Sequence, residues 1–318
     1  MHHHLQPACR ACGAVGLTPI LPAAAKPAAD RLLGAERPYA RRFKHTVGLA
    51  LCPSCKLVQM VEVRPTAERM HDAHVYHLQG SLHDDRMLSD QVTKACRLTR
   101  RTLVIEVASG DGRLLSCYKD LDIPVLGIEA VSAAALTAQR RGLPTLCNRF
   151  GLDLARRIAQ CGQSAAVLHV RGMLNYVADL QHFVESMCTI LAPDGVAILD
   201  VSYIRDEVES SQHDTRCAYY LSHFSLASLA RLLGSHGLGL CDVERLEKLN
   251  VLRVWARRNS VPSDAVPRLL EDEQRWGVDR LATYQRWAQR LERLRGASIP
   301  LTGFAPPTSH TPTLGSAV

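Results

Sequence analysis

Four cysteines near the start of the chain have the spacing of a metal site. They form two pairs, Cys9-Arg-Ala-Cys12 and Cys52-Pro-Ser-Cys55, and each pair places two thiols on one short turn. Two such pairs can surround a single zinc ion with four thiolates, which is the ligand set of a closed structural site with no open position for water. We therefore predict one structural zinc ion held by Cys9, Cys12, Cys52 and Cys55. The insert between the pairs is too long for a compact zinc finger and must fold as a structured loop.

Further along the chain, the stretch Glu106-Val-Ala-Ser-Gly-Asp-Gly112 has the composition of a nucleoside-binding turn. It follows a predicted strand, and its glycines let the backbone turn sharply and approach a ligand closely. The dinucleotide pattern G-x-G-x-x-G is absent, and an acidic residue opens the turn. A carboxylate at that place repels phosphate but suits a cationic ligand. Glu129, which ends the next predicted strand, can accept hydrogen bonds from ribose hydroxyls.

These features together indicate S-adenosylmethionine, a sulfonium nucleoside with an amino-acid tail and no phosphate. The alternative is an incidental glycine-rich turn in a buried sheet. Arg171, which follows a third predicted strand, is added to the candidate cofactor site, although it could instead clamp an anionic substrate or lie in solvent. The predicted cofactor-binding residues are Glu106, Ala108, Ser109, Gly110, Asp111, Gly112, Glu129 and Arg171.

The elements that must position these residues alternate between strand and helix from residue 102 onward. Apolar runs predict buried strands at 103–107, 125–129, 165–170 and 196–201, and helices lie between them, including 180–191, closed by a turn at 193–195. After a helix at 226–236, the runs 239–244 and 251–256 have no helix between them and predict an antiparallel edge. The sequence therefore predicts an α/β, Rossmann-like core with a mainly parallel sheet.

The chain divides into four predicted parts. Residues 1–68 form a zinc-binding module, in which the runs 47–51 and 57–61 make a hairpin with the metal at its tip. Residues 69–257 form the cofactor-binding core, and 258–296 form a helical extension, broken near Gly277. The tail 297–318 is rich in Pro, Thr and Ser and is expected to be disordered.

The chain resembles the sugar C-methyltransferase family in an ordered set of short stretches over roughly residues 9–256. They are Cys9–Gly13, Cys52–Gln59, Val75–His77, Ser109–Leu115, Leu180–Val184, Leu191–Val196, Gln212–Thr215 and Leu252–Val254. The resemblance implies a zinc module, a class I S-adenosylmethionine-dependent methyltransferase core and a C-terminal domain. It also implies that Tyr76 lies over the pocket for cofactor and substrate; the alternative is an aromatic packed between module and core.

Two departures from the family pattern concern catalysis and length. Where the family carries Tyr-His-Glu-His, which supplies the base that removes a proton from carbon, this chain has Cys217-Ala-Tyr-Tyr220. A phenol is a poorer base at neutral pH than an imidazole, and His223 could substitute or be a surface or structural histidine. The candidate catalytic residues are Tyr76, Tyr219, Tyr220 and His223. The family's second nucleotide-fold-like domain is expected to be mostly missing, because the sequence ends shortly after Gly303–Pro307.

Composition narrows the function classes. The chain has 318 residues, 47% of them hydrophobic, and lacks an apolar run long enough to cross a membrane or to serve as a secretory signal, so a cytoplasmic protein is expected. Seven of its eleven cysteines are scattered singly and are predicted to be reduced and buried. Residues 1–70 hold ten Lys and Arg against four Asp and Glu, but these charges are dispersed, so no nucleic-acid partner is expected.

The sequence supports three functions in decreasing order. The first is an S-adenosylmethionine-dependent methyltransferase, acting by C-methyl transfer on a small molecule in specialised metabolism such as antibiotic biosynthesis. The second keeps the fold but performs an intramolecular displacement or ring closure with release of S-adenosylhomocysteine. The third is a zinc-ribbon binding protein with an inactive core. The expected partner is a small-molecule substrate, with no membrane partner, and the oligomeric state is not predicted.

Overall fold

The computed structural model describes residues 8–24, 47–61, 82–209 and 220–296. These residues form two sheets, one of seven strands and one of four. The strands are β1 Thr18–Ala24, β2 Val47–Leu51, β3 Val58–Val61, β4 Leu103–Val107, β5 Val125–Glu129, β6 Thr145–Cys147, β7 Ala165–Arg171, β8 Leu191–Ser202, β9 Ser222–His223, β10 Gly239–Leu246 and β11 Val251–Arg257. The helices are α1 Leu82–Ala95, α2 Arg113–Asp120, α3 Ser132–Arg140, α4 Leu152–Gln160, α5 Leu180–Ile190, α6 Ile204–Glu209, α7 Leu226–Gly234, α8 Ala265–Trp276 and α9 Leu281–Gly296.

The larger sheet has the strand order β10-β11-β8-β7-β4-β5-β6. Strands β8, β7, β4, β5 and β6 are parallel, and β11 and β10 complete the sheet in antiparallel register. The connections run outward from the centre in both directions, so the order reverses between β4 and β7. Ligands of such sheets bind at that reversal, beyond the carboxyl ends of the strands. The predicted α/β, Rossmann-like core with an antiparallel edge is confirmed.

Alternation along the central strands separates two hydrophobic cores. Neighbouring residues of a strand point to opposite faces of the sheet, and Val104 and Ile105 accordingly belong to different clusters. One cluster packs under α4, α5 and α7, and the other under α1, α2 and α3. Helices therefore cover both faces, as the sequence predicts for a buried parallel sheet.

The prediction that a turn at 193–195 separates helix from strand is wrong. Residues Leu191 to Ser202 form one continuous strand, in which the extra residues bulge between the pairs Ala165–Leu191 and Val167–Val196. Glycine is needed at 195 because a β-carbon there would lie 2.5 Å from the carbonyl oxygen of Ala165. A bulge absorbs the turn residues without ending the pairing.

The smaller sheet has the order β1-β2-β3-β9, entirely antiparallel. The predicted hairpin is β2 and β3, whereas β1 was not predicted. The last strand of this sheet, β9, comes from a much later part of the chain. It places the residues from 220 onward next to the N-terminal residues that carry the four clustered cysteines. Helix α9 packs on this sheet through Tyr284 and Trp287. The break between α8 and α9 falls at Gly277, whose φ of 93° is left-handed, so the predicted interruption is confirmed.

The scattered cysteines agree with their prediction only in part. All those within the described residues are free, but Cys147 and Cys161 are exposed and only Cys117 is fully buried. The expectation of buried thiols is therefore wrong for most of them. Cys217 and the tail 297–318 lie outside the described residues. Where the structure describes the chain, no helix is both long enough and apolar enough to cross a bilayer.

Candidate active site

The turn after β4 is bound tightly to the end of β5. Residues Ala108, Gly110 and Gly112 all have left-handed backbone angles, with φ of 57°, 58° and 78°. The amide of Gly110 donates to Glu129 Oε2 at 2.8 Å, and the amide of Val131 donates to Oε1 at 2.7 Å. Glu129 thereby joins the turn to the next loop. A carboxylate oxygen can accept more than one hydrogen bond, so Glu129 stays the candidate acceptor for ribose hydroxyls.

Close packing behind the turn explains its small residues. A β-carbon at Gly127 in β5 would lie 2.6 Å from Ser109 Oγ, and one at Gly112 would lie 2.3 Å from a methyl carbon of Leu143. Ser109 is buried, and its hydroxyl has no hydrogen-bond partner within the described residues. Asp111 is more accessible and pairs with Arg141 at 2.8 Å. Of Ser109 and Asp111, Ser109 is therefore the one whose side chain is buried and makes no hydrogen bond within the described residues.

Glu106, in β4, is the acidic residue that the sequence predicts to face a cationic cofactor. It is 4% exposed, and burial raises its pKa to about 8, although the nearby Arg171 acts in the opposite direction. Arg171 Nη1 lies 3.6 Å from Glu106 Oε1, while Oε2 is buried with no hydrogen-bond partner in the described parts of the chain. A cationic group placed beside Oε2 would favour the ionised carboxylate.

Arg171, at the carboxyl end of β7, is enclosed by acidic side chains. Its guanidinium lies 2.8 Å from Asp85 of α1, 3.6 Å from Glu106 and 3.5 Å from Asp200 of β8. Asp85 is itself buried and also accepts from Arg113 at 2.6 Å. The Arg171 side chain is only 12% exposed, which rules out the alternative of a solvent-exposed Arg171, and three carboxylates around one guanidinium disfavour an anion clamp. Its part in cofactor binding stays a prediction.

Two of the four candidate catalytic residues can be placed. Tyr76 and Tyr219 lie outside the described residues, whereas Tyr220 and His223 are both buried. The Tyr220 ring meets the rings of Tyr176 and His223 edge-on, with centroids 5.2 and 5.8 Å apart. The alternative of a surface histidine is therefore wrong for His223.

Sequence reasoning missed the partners of His223. Its Nδ1 lies 2.6 Å from Glu207 Oε2, and Ser202 Oγ donates to Glu207 Oε1 at 2.7 Å. Asn175, just beyond β7, donates to the carbonyl of Ser222 at 3.0 Å and accepts from the amide of Ser202 at 3.1 Å. The stretch around Asn175 was the only local sequence feature that pointed to these contacts. Glu207 and His223 are separated along the chain, and the fold brings them together.

The four predicted zinc ligands meet in one cluster. All four sulfur atoms lie within 4.8 Å of one another, with Cys9 to Cys55 at 3.4 Å and Cys12 to Cys52 at 3.6 Å. The hydrogen bond between Cys9 and Cys55 lowers the pKa of Cys9 to about 5 and raises that of Cys55, because neighbouring thiols cannot all ionise without a cation. The donor set fits a zinc ion.

The cysteine cluster is fastened to the small sheet and to helix α5 of the core. The Arg10 guanidinium donates to the carbonyls of Met60 in β3 at 2.6 Å and Leu221, next to β9, at 3.2 Å. The Gln181 side chain of α5 donates to the carbonyl of Ala11. These contacts hold the cluster against the core instead of leaving it on a separate unit.

The residues present fit S-adenosylmethionine. Glu106 offers a buried acceptor without a partner in the described chain, Glu129 offers a second buried carboxylate bound to the turn, and the turn itself has left-handed backbone angles at Gly110 and Gly112. All of these lie at the carboxyl edge of the sheet, next to the reversal between β4 and β7.

Comparison with known proteins finds methyltransferases. The chain is 27% identical to the C-methyltransferase NovU of Streptomyces niveus over 293 residues, which are 90% of this chain and 70% of that protein. Among solved structures, the CcbJ methyltransferase of Streptomyces caelestis has a TM-score of 0.45 at 15% identity, covering 56% of this chain and 97% of that one. The glycopeptide N-methyltransferase MtfA, complexed with sinefungin, has a TM-score of 0.42 at 14% identity, covering 55% and 94%.

A family model described as a methyltransferase domain matches residues 82–242, just over half of the chain. The matched range contains the turn at 106–112, Glu129, Arg171 and the buried Glu207–His223 pair. The chain belongs to the methyltransferase domain family and is an S-adenosylmethionine-dependent methyltransferase.

Proposed function

We propose that this enzyme transfers a methyl group to a carbon atom of a small molecule in specialised metabolism such as antibiotic biosynthesis. The observation that carries the proposal is the extent of the similarity to the C-methyltransferase NovU. That alignment spans 293 residues and therefore reaches well beyond the 82–242 methyltransferase domain. The earlier resemblance to sugar C-methyltransferases makes a nucleotide-linked keto sugar the first substrate class to test.

The cofactor supplies a methyl group already activated on a sulfonium sulfur. Glu106 would face its cationic amino-acid end, and Glu129 would accept from its ribose, while Ala108, Ser109, Gly110, Asp111 and Gly112 form the turn around it. The rings of Tyr220 and Trp287 pack edge-on against His223, Tyr176 packs behind Tyr220, and the buried position of His223 keeps bulk water away from it. An enclosed site of this kind protects a reactive carbanion from protonation by water.

Substrate contact is assigned to Tyr76, Tyr219, Tyr220 and His223, of which His223 has the chemistry of a base at neutral pH. Cys9, Cys12, Cys52 and Cys55 are proposed to hold one structural zinc ion. The division into a zinc-binding module at 1–68, a core at 69–257, a helical extension at 258–296 and a tail at 297–318 is part of the same proposal.

The test is an assay with S-adenosylmethionine carrying a labelled methyl group and a panel of nucleotide-linked keto sugars and other small carbonyl compounds. The expected product contains the label in a new carbon–carbon bond, identified by mass spectrometry and carbon NMR. Label on oxygen or nitrogen would contradict C-methyl transfer while leaving a methyltransferase. A new ring with an unchanged methyl count would favour the displacement alternative, and a failure to bind S-adenosylhomocysteine would favour a binding protein with an inactive core.

A further inference from the structure

Three buried polar side chains form a line from the large sheet to the small one. Ser202 ends β8, Glu207 lies on α6 and His223 lies on β9. Ser202 Oγ donates to Glu207 Oε1 at 2.7 Å, and Glu207 Oε2 lies 2.6 Å from His223 Nδ1. All three residues are less than one tenth exposed. The two oxygens of one carboxylate thus have separate partners, which fixes the plane of the carboxylate and the direction of the imidazole.

This arrangement selects one tautomer of the histidine. A carboxylate only accepts hydrogen bonds, so His223 Nδ1 must carry the proton that it shares with Glu207. The other nitrogen, Nε2, is buried and has no hydrogen-bond partner within residues 8–24, 47–61, 82–209 and 220–296. In the neutral ring Nε2 carries a lone pair. A buried acceptor without a partner costs free energy, and a proton donor placed beside Nε2 would remove that cost.

Through Glu207 and Ser202, His223 is connected to the carboxyl edge of the large sheet, where the cofactor turn lies. Strands β4, β5, β7 and β8 are parallel, so Val107, Glu129, Arg171 and Ser202 all end at the same edge. Asn175, immediately after β7, joins the end of β8 to β9 through its side-chain amide. A backbone bridge between Tyr203 and Phe224 makes a second connection. The position of His223 is therefore fixed relative to the core that binds the cofactor.

We propose that His223 is the base that removes the proton from the substrate carbon, and that Glu207, supported by Ser202, is the positioning residue that keeps Nδ1 protonated. The inference rests on the proposed C-methyl transfer. It also accounts for the missing Tyr-His-Glu-His stretch, because the histidine and the carboxylate come from two elements, 16 residues apart. A carboxylate that orients an imidazole in this way fixes the tautomer and the ring direction, which leaves the lone pair on the other nitrogen.

The chemistry of an imidazole base limits the substrate. Nε2 can accept a proton only from carbon next to a carbonyl or a comparable group, because other carbon–hydrogen bonds are far too weakly acidic. The lone pair of Nε2 forms the new N–H bond, and the electron pair of the broken C–H bond moves into an enolate. The enolate carbon then bonds to the methyl carbon, whose former bond to sulfur breaks with its electron pair left on sulfur. The imidazolium returns its proton to water.

The tautomer can be tested without a substrate. The full chain, with 15N-labelled histidine, is studied by long-range proton–nitrogen NMR at neutral pH, and His223→Gln assigns the signal. The expected spectrum shows Nδ1 protonated and Nε2 bare, and Glu207→Gln raises the population of the opposite tautomer. Glu209→Gln is the matched control, because Glu209 lies on the same helix and pairs with Arg205 at 3.0 Å. A wild-type His223 with Nε2 protonated, or a spectrum unchanged by Glu207→Gln, overturns the inference.

The second test uses the acceptor found in the labelled assay. His223→Gln should lower kcat by about 10²–10⁴-fold, and Glu207→Gln should lower kcat by about 10–100-fold. In both variants KM should stay within about twofold of the wild-type value, because neither change removes ground-state binding of the substrate. His223→Gln should also abolish deuterium exchange from heavy water into the acceptor carbon when S-adenosylhomocysteine replaces the cofactor. Carbon methylation at the wild-type rate by His223→Gln overturns this inference alone, whereas label on another atom overturns the proposed function. Calorimetric binding of S-adenosylhomocysteine confirms that each variant is folded.

Discussion

Val58 of β3 lies directly opposite His223 of β9 in antiparallel register. The cysteine cluster and the candidate base are therefore attached to one sheet, since Cys55 lies three positions before Val58, where β3 begins. A change at the cluster should be transmitted to His223 through the backbone pairing of these strands, and to the cofactor turn only indirectly.

Zinc removal should accordingly separate methyl transfer from cofactor binding. Metal analysis of protein purified without chelator should return about one zinc per chain, as expected for a closed four-thiolate site. Cys9→Ser should lose the zinc, destabilise β1, β2 and β3, and abolish most methyl transfer, while S-adenosylhomocysteine affinity falls by less than about tenfold because its contacts lie on the other sheet.

The matched control is Cys161→Ser, at an exposed cysteine outside the cluster. It should keep the zinc and the wild-type rate. A zinc content clearly below one in the wild type would contradict the four-thiolate site. Unchanged activity in Cys9→Ser with the zinc lost would contradict the coupling between cluster and base.

Binding of a cationic cofactor should release a proton from Glu106. Burial raises the pKa of Glu106 to about 8, so in the free protein this carboxyl is protonated at neutral pH, and a bound cation beside it favours ionisation. Affinity for S-adenosylmethionine should therefore rise with pH up to about 8, where the free carboxyl becomes ionised. Calorimetry at about pH 6.5, where an ordinary α-amino group is fully protonated, in buffers of different ionisation enthalpy measures the released proton.

Two controls separate the causes of that proton release. Glu106→Gln should bind more weakly and release no proton. S-adenosylhomocysteine keeps the amino group but lacks the sulfonium charge, so release with both ligands assigns the effect to the amino group. Proton uptake, or no proton change with either ligand, would mean that Glu106 does not face the cofactor.

The raised pKa of Glu106 also makes the stability of the free protein depend on pH, in the direction opposite to that of the cofactor affinity. Because the pKa of Glu106 in the folded protein lies above its ordinary value, the native state holds a proton that the unfolded chain has lost. Stability of the free protein should decrease as pH rises from about 4.5 to about 8. Bound cofactor should weaken this dependence, which urea denaturation with and without S-adenosylhomocysteine measures.

How far the sequence predicts this structure depends on the range of the interactions. The strands 103–107 and 125–129 were predicted at their observed bounds, because each is a short apolar run closed by turn residues. Strand β1 was missed because Pro19 and Pro22 argue against a strand, and it is an edge strand paired through irregular register.

The candidate site also divides into parts that the local sequence predicts and parts that arise only when the chain folds. The turn at 106–112 and the cysteine pairs are local patterns and could be read directly. The Glu207–His223 pair depends on how α6 and β9 cross, and the enclosure of Arg171 depends on Asp85, Glu106 and Asp200 from three elements. No spacing along the chain encodes such contacts, so sequence reasoning left Arg171 between two alternatives and did not consider Glu207.

Gly127→Ala should weaken cofactor binding from behind the turn. The added carbon would lie 2.6 Å from Ser109 Oγ and 3.0 Å from Thr145 Oγ1, so the buried Ser109 side chain must shift within the turn to admit it. We expect a loss of about tenfold or more in affinity for S-adenosylhomocysteine, corresponding to about 1.4 kcal/mol. Gly151→Ala is the control, because its added carbon meets nothing within 4 Å. Equal affinities in the two variants would show that the turn does not depend on this packing.

Glu273 should be required for the helix that follows β9. Its two carboxylate oxygens accept from the amides of Leu226 at 2.6 Å and Ala227 at 2.9 Å, at the start of α7. Glutamine has the same shape but only one acceptor oxygen, so Glu273→Gln leaves one buried amide without a partner, at a cost of about 1–3 kcal/mol. The midpoint of urea denaturation should fall with an unchanged slope, whereas Glu271→Gln, at an exposed position on the same helix, should change the free energy of unfolding by less than about 0.5 kcal/mol. Equal stability of the two variants would mean that Glu273 does not cap α7.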